Sequence, residues 1–406
     1  MIDERIIDKL VERLVDRIEE GNSYVLQKIG ESINKIGALS PSKAQQLAQI
    51  LKFGGNYDKI VEKLTKITKL NVKEIYEIFE EVAKKDYAFA KQFYDYKGIQ
   101  YIPYEENFAL QDQVKALASI TANEYVNFSN TLAFSTKFNG RVVYTELSRM
   151  YQNVLDRAVL SVAQGKTTFQ EQMYSIIKEL GSSGIRTVDY ASGRSVRLDS
   201  SVRQHMKGAL RNLHNETQAV FGRQFGSDGV EISVHENPAP DHAEVQGRQF
   251  SKEEFAKFQN DQDAVDYTGK LFTKEHDGKD RRSISEYNCY HYTFDIVLGV
   301  SKPEYSEEEL QKIIDDNNKG FELDGEHYTN YQGTQLQRKL ETEIRKQKDI
   351  QIIAKASGNK QLVQESQHKI TQLTRKYKRL SDVSGLPTKM ERMRVSQYKR
   401  VNVNKL

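Results

Sequence analysis

The chain has no tryptophan, one cysteine and six prolines in 406 residues. A single cysteine excludes an internal disulfide and suits a protein made in a reducing cytoplasm. Without tryptophan, the bulky core positions fall to 22 tyrosines and 17 phenylalanines. No apolar run approaches the ~20 residues that span a bilayer. The opening Met1-Ile2-Asp3-Glu4-Arg5 lacks the basic segment and apolar stretch of a secretory leader. Proline is absent from Tyr104 to Asn237. Since proline costs ~3 kcal/mol inside a helix, that interval favours long helices. Signatures of common chemistries are missing too: there is no P-loop, no Gly-x-Ser-x-Gly, no HExxH and no dinucleotide fingerprint. Asp277-Gly278-Lys279-Asp280 is too short for a calcium loop.

What is present is charge, unevenly placed. The formal net charge is only +3. From Tyr331 to the end, however, Lys and Arg number 18 against 6 Asp and Glu, so the first 330 residues sum to −9. The basic residues cluster at Arg375, Lys376, Lys378 and Arg379, at Arg392 and Arg394, and at Lys399 and Arg400. Such a tail suits nucleic acid or an acidic protein surface. The solvated face of a helical hairpin would look the same.

Apolar spacing organises the rest. Ile6, Ile7, Leu10, Leu14, Val15 and Ile18 mark a helix over 2–20, and a second is expected over 24–36. Ser40 and Pro41 open another. Gly54-Gly55-Asn56 reads as a turn, and Asn71 as the cap of a new helix. Tyr101-Ile102-Pro103-Tyr104 is the expected boundary of this N-terminal helical module, residues 1–100. Helices are then expected over 110–132, over 141–163, and from Thr167 to near Gly181. Thr187 to Leu198 reads as a β-hairpin with Gly193 in its turn, and Val230 to Val234 as a strand. A capping-box helix starts at Ser251. Residues 259–286 read as a charged loop, and Phe294 to Gly299 as a short apolar strand. An acidic helix should follow Pro303, then an antiparallel helical hairpin that breaks at Ser357-Gly358-Asn359. The basic end runs from Arg392 to Lys405. The fold class is therefore mainly helical α+β: a module over 1–100, a central α+β domain with a small sheet over 104–302, and an acidic helix with a basic helical hairpin over 303–406.

Two polar stretches interrupt this scaffold. The first is His235-Glu236-Asn237-Pro238-Ala239-Pro240-Asp241-His242, continuing through Gln246-Gly247; the second is Tyr287-Asn288-Cys289-Tyr290-His291. Asp189-Tyr190-Ala191-Ser192-Gly193-Arg194 and Tyr331-Gln332-Gly333-Thr334-Gln335-Leu336-Gln337-Arg338 complete a set of four. In this order they resemble the phage minor capsid protein 2 family, itself related to the Mu-type phage head morphogenesis proteins. The motifs cover the chain from about residue 110 onward. Ala239 stands where many relatives carry an arginine-type residue, so no role of that arginine carries over. The resemblance implies a minor structural protein of a tailed-phage head, not an enzyme. It would be present in few copies, at or near the portal inside the capsid, and act in assembly or early DNA delivery. Implied partners are the portal protein, major capsid or scaffold proteins, and packaged double-stranded DNA. The protein would be made in the host cytoplasm and end in the virion.

The residues themselves carry a further expectation. His235, His242, Cys289 and His291 are ligand types that zinc uses, and strands 230–234 and 294–298 in one sheet would bring the two pairs together. Against this stands a plainer reading: Asp241 and His242 tie the loop to backbone, and Cys289 is a small core residue. The alternative function is a metal-dependent hydrolase acting on nucleic acid or another polymer, with a histidine or the cysteine as base or nucleophile.

Overall fold

The computed structural model describes residues 4–52, 56–138, 141–189, 194–284, 289 and 291–402. Gly54, Gly55, Tyr190 to Gly193, Tyr287, Asn288, Tyr290 and Lys405 lie outside them.

Three helices open the chain: α1 (Glu4–Gly37), α2 (Pro41–Lys52) and α3 (Asn56–Lys97). Next come α4 (Phe108–Asn130), the hairpin β1 (Leu132–Phe138) and β2 (Arg141–Glu146), α5 (Leu147–Gln164) and α6 (Lys166–Ser183). The hairpin β3 (Arg186–Asp189) and β4 (Arg194–Arg197) leads into α7 (Leu198–Phe225). A small lobe follows, with β5 (Gly229–Ile232), β6 (Gln249–Ser251), α8 (Lys252–Gln259), the short pairs β7 (Ala264–Val265) with β8 (Leu271–Phe272) and β9 (Glu275–His276) with β10 (Lys279–Asp280), and β11 (Thr293–Ile296). The chain ends with α9 (Glu307–Lys319), the hairpin β12 (Phe321–Leu323) and β13 (Glu326–Tyr328), and the helical hairpin α10 (Asn330–Ala356) and α11 (Lys360–Ser384). Among the described residues no helix is long and apolar enough to cross a membrane. The class is mainly helical α+β, as the periodicity indicates.

Four local expectations need correction, each for a tertiary reason. The two helices expected over 2–20 and 24–36 are one, α1. Asn22 does not break it because its side chain is used across the interior: Oδ1 accepts from Ile185 N–H at 3.0 Å and Nδ2 donates to Asp349 at 3.3 Å. Asn71 is not a cap but lies within α3, where its amide donates to the Tyr125 hydroxyl at 2.8 Å and its oxygen accepts from Arg17 at 3.2 Å. Residues 141–146 are strand rather than helix. Val142, Val143, Tyr144 and Thr145 favour an extended pleat, and β1 supplies the partner, with Ala133 opposite Glu146. Residues 259–286 contain the paired strands β7 to β10 rather than loop alone.

The main core draws on the whole chain. It joins Val11, Leu26 and Ile33 of α1, Phe79 of α3, Leu155 of α5, Leu210 of α7, Ile350 and Ile353 of α10 and Val395 near the end. Glycines let α10 approach closely. A Cβ on Gly181 of α6 would stand 2.6 Å from both the Cα and the N of Ile350, and one on Gly30 of α1 would stand 2.7 Å from Ile353 O. Backbone cannot yield as a side-chain tip can. Gly181→Val should therefore destabilise the fold by about 3 kcal/mol or more, at the top of the overpacking range. Gly208 in α7 is the control: a Cβ there meets nothing closer than Arg211 Nη2 at 4.0 Å. Gly208→Ala should stabilise by about 0.5–1 kcal/mol through helix propensity. Urea unfolding of both variants measures the contrast.

A second, smaller core lies in the lobe: Ile232, Val245, Phe250, Phe258, Ala264, Phe272 and Ile284. Its sheet has the order β11-β5-β6, antiparallel, with Thr293 opposite Ile232 and Ile296 opposite Gly229.

Candidate functional site

The pairing of β5 with β11 positions the two polar stretches. Past the last paired residues, Ser233 N–H still donates to Tyr292 O at 2.9 Å, and Tyr292 N–H to Ser233 Oγ at 2.8 Å. His235 and His291 thus leave the sheet side by side. After Pro240 the loop turns tightly: His242 N–H donates to Ala239 O and Gln246 N–H to His242 O. Gly247 then takes φ +70°, and its N–H donates to Ile232 O at 2.8 Å, returning the chain to the sheet edge. That left-handed conformation favours glycine, and a Cβ would also stand 3.0 Å from Val234 Cγ2.

Three side chains converge here. Cys289 Sγ lies 3.6 Å from His242 Nδ1 and 3.4 Å from His291 Nδ1. The three ligand atoms all fall within 4.8 Å of one another, and the residues are buried. Their outer nitrogens fix the tautomers. His242 Nε2 is 2.7 Å from Arg282 O, a pure acceptor, so that nitrogen carries the proton. His291 Nε2 is 3.4 Å from Gln246 Oε1, which also accepts from His235 N–H at 2.8 Å. Both Nδ1 lone pairs consequently face the thiol. This is the outer-shell pattern of metal-ligating histidines. The two separations from Cys289 Sγ fit as well: donors at ~2.0–2.1 Å and ~2.3 Å from a tetrahedral ion stand about 3.6 Å apart.

The electrostatics hold the loop in place. Arg282 grips Asp241 through Nε and Nη2, both at 2.8 Å. Burial pushes the Asp241 carboxyl up, but the Arg282 hydrogen bonds and the neighbouring His242 outweigh it and set it at about 2. Burial also opposes charge on His291, helped by His235 and His242, and keeps it well below the usual histidine range. His242 is shifted up: burial works downward, but the contacts with Cys289 and Asp241 prevail. Arg211 of α7 donates to Cys289 O, tying the second stretch to the helical body.

His235 stands beside this group rather than in it. Its ring centroid is 4.5 Å from that of His291, tilted by 62°, and it lies outside the set of three. The tie between His242 and backbone, expected as the alternative to metal ligation, is present along with the convergent geometry. Gln246, Arg282 and Arg211 are parts of the site that the sequence does not single out. Gln246 belongs to the first polar stretch, but nothing local shows that its amide orients a histidine 45 residues on.

The basic residues divide. Arg375, Lys376, Lys378 and Arg379 are exposed on α11, with Arg379 paired to Asp324 at 2.6 Å. Lys399 and Arg400 are exposed. Arg392 is largely covered, 3.7 Å from Asp8 of α1, and Arg394 pairs with Asp16 at 3.2 Å.

No curated protein and no solved structure matches the chain. A family model described as Phage minor capsid protein 2 matches residues 2–382. That reaches back across α1 to α3, where no motif is legible, and forward through the helical hairpin. With nearly the whole chain matched, and with the motif loops meeting on one sheet, the chain belongs to the phage minor capsid protein 2 family.

Proposed function

We propose that the protein is a minor structural component of a tailed-phage head, associated with the portal vertex and the capsid interior, that acts in head assembly and DNA delivery. The family match over residues 2–382 carries this reading. Co-purification with portal and major capsid or scaffold proteins from infected cells tests it, and absence from such complexes overturns it.

Within that role, a zinc ion on His242, Cys289 and His291 would fasten the small lobe, with His235 as the fourth ligand after a ring rotation. Deprotonated thiol and neutral imidazoles are the donors zinc takes in structural sites. The burial of all three residues disfavours the hydrolase alternative: His242 is 1% exposed, His291 3% and Cys289 4%.

The exposed face of α11 suits packaged DNA. Arg375, Lys376, Lys378 and Arg379 offer four cations to phosphates, whose displaced counterions would drive binding without sequence preference. Tyr377 cannot add base stacking: it is buried and accepts from Lys389 N–H. Neutralising the four to glutamine in the full chain should lower the slope of log affinity against log salt by up to ~0.9 for each phosphate left unneutralised. Duplex binding with an unchanged slope would move the DNA-binding face elsewhere. Capture of the portal protein without any DNA binding would assign the charge to protein docking.

A further inference from the structure

Where α1, α7 and α10 meet, the core is ionic. Glu19, Arg197, Asp199, Arg345 and Asp349 are all at most 5% exposed. Arg197 reaches Asp349 at 2.7 Å and Asp199 at 3.4 Å, and Arg345 pairs with Asp199. Asn22 of α1 completes the link by donating to Asp349. Glu19 Oε2 has no hydrogen-bond partner among the described residues. A third guanidinium reaches the group as well: Arg203 of α7 stands 4.0 Å from Asp199. Arg203 also pairs with Glu12 of α1 at 2.8 Å, and Asp8 of α1 faces Lys207, Lys389 and Arg392. On α10, Lys348 interacts with Asp349 and Glu19, and Glu343 pairs with Lys346 at 2.5 Å. Asp8, Glu12, Asp199 and Asp349 each have an ion pair, whereas Glu19 has none among the described residues. A buried uncompensated charge is strongly unfavourable, and a carboxyl avoids it by holding its proton.

We propose that this junction is a proton-dependent latch: the Glu19 and Asp349 carboxyls hold one proton between them, and its loss loosens α10, and with it the C-terminal helical hairpin, from α1 and α7. Burial, then the neighbouring Asp349, lifts the Glu19 carboxyl to about 7, and burial lifts Asp349 as well. In an opened state both groups meet water and titrate near ~4. Opening therefore releases a proton. It becomes easier as pH rises from about 4.5 to about 7, and above that it changes no further. The hairpin carries the basic face of α11, so the latch would set how firmly that face is held.

Hydrogen–deuterium exchange of the full chain tests this, with protection corrected for intrinsic rates. Residues 344–354 of α10 should lose more than about tenfold in protection between pH 5.5 and 7.5, relative to α5 in the same sample. Glu19→Gln, which cannot ionise, should abolish the change and stay as protected at pH 7.5 as the wild type at pH 5.5. Equal protection of wild-type α10 at both pH values overturns the latch, as does an unaltered pH dependence in Glu19→Gln. Should Glu19→Gln fail to fold, Asp349→Asn takes its place with the same required outcome.

Discussion

With the proposed zinc on His242, Cys289 and His291, Cys289→Ser is expected to abolish metal binding and unfold the lobe between β5 and β11, while the helical body stays folded. Serine matches the thiol in size but cannot supply a soft thiolate, so the loss is one of ligation rather than packing. On that proposal the lobe uses such a staple because its core is seven of the described residues, with Phe250, Phe258 and Phe272 the largest. Small cores of that kind need a metal, disulfides or a partner surface, and the single cysteine rules out a disulfide. Structural zinc contributes ~10–16 kcal/mol of binding free energy in isolated fingers. A lobe already resting on α7 should lose less, but still several kcal/mol. Elemental analysis should give about one zinc per wild-type chain and none for the variant. Proteolysis of the variant should cut within 233–292, and a chelator should reproduce that pattern in the wild type. A variant with no zinc yet wild-type resistance would leave the site hydrogen-bonded and structurally complete without metal.

Arg197→Met is the other large effect, and its size follows from the buried ion pair it breaks at the ionic junction. Removing Arg197 takes from buried Asp349 its ion-pair partner at 2.7 Å and strips Ser183 O of a donor. Breaking a buried pair costs about 3–5 kcal/mol because the surviving charge is uncompensated. Asp349→Asn should cost less, since Arg197 keeps Asp199 at 3.4 Å and Glu19 loses its like-charged neighbour. Urea midpoints of the two variants should differ widely in that order. Equal loss would mean that shape rather than charge governs the junction.

These two sites differ in how far the sequence discloses them. The proposed metal site is largely legible, because its residues flank two alternating segments, 230–234 and 294–298. Strand pairing then brings His242, Cys289 and His291 together. Its outer shell is not legible: Gln246 and the Arg282 carbonyl act through orientation, which spacing does not encode. The ionic junction is invisible in the sequence. Glu19, Arg197 and Asp349 belong to three distant stretches, each reading as an ordinary solvated charge. The same blindness explains Asn22 and Asn71, which look like helix punctuation until their partners Ile185, Asp349 and Tyr125 are in place. Helix periodicity is the dependable signal for α5, α6, α10 and α11, where one face meets the core and the other meets water.

An asymmetric cryo-EM reconstruction of the purified virion, focused on the portal vertex, tests the central reading most directly. The account predicts density inside the head at that vertex, in few copies, into which the α1–α3 helices and the α10–α11 hairpin fit with the face of Arg375, Lys376, Lys378 and Arg379 turned toward DNA. Virions that lack the chain altogether, or that carry it only on the outer capsid or the tail, would contradict it.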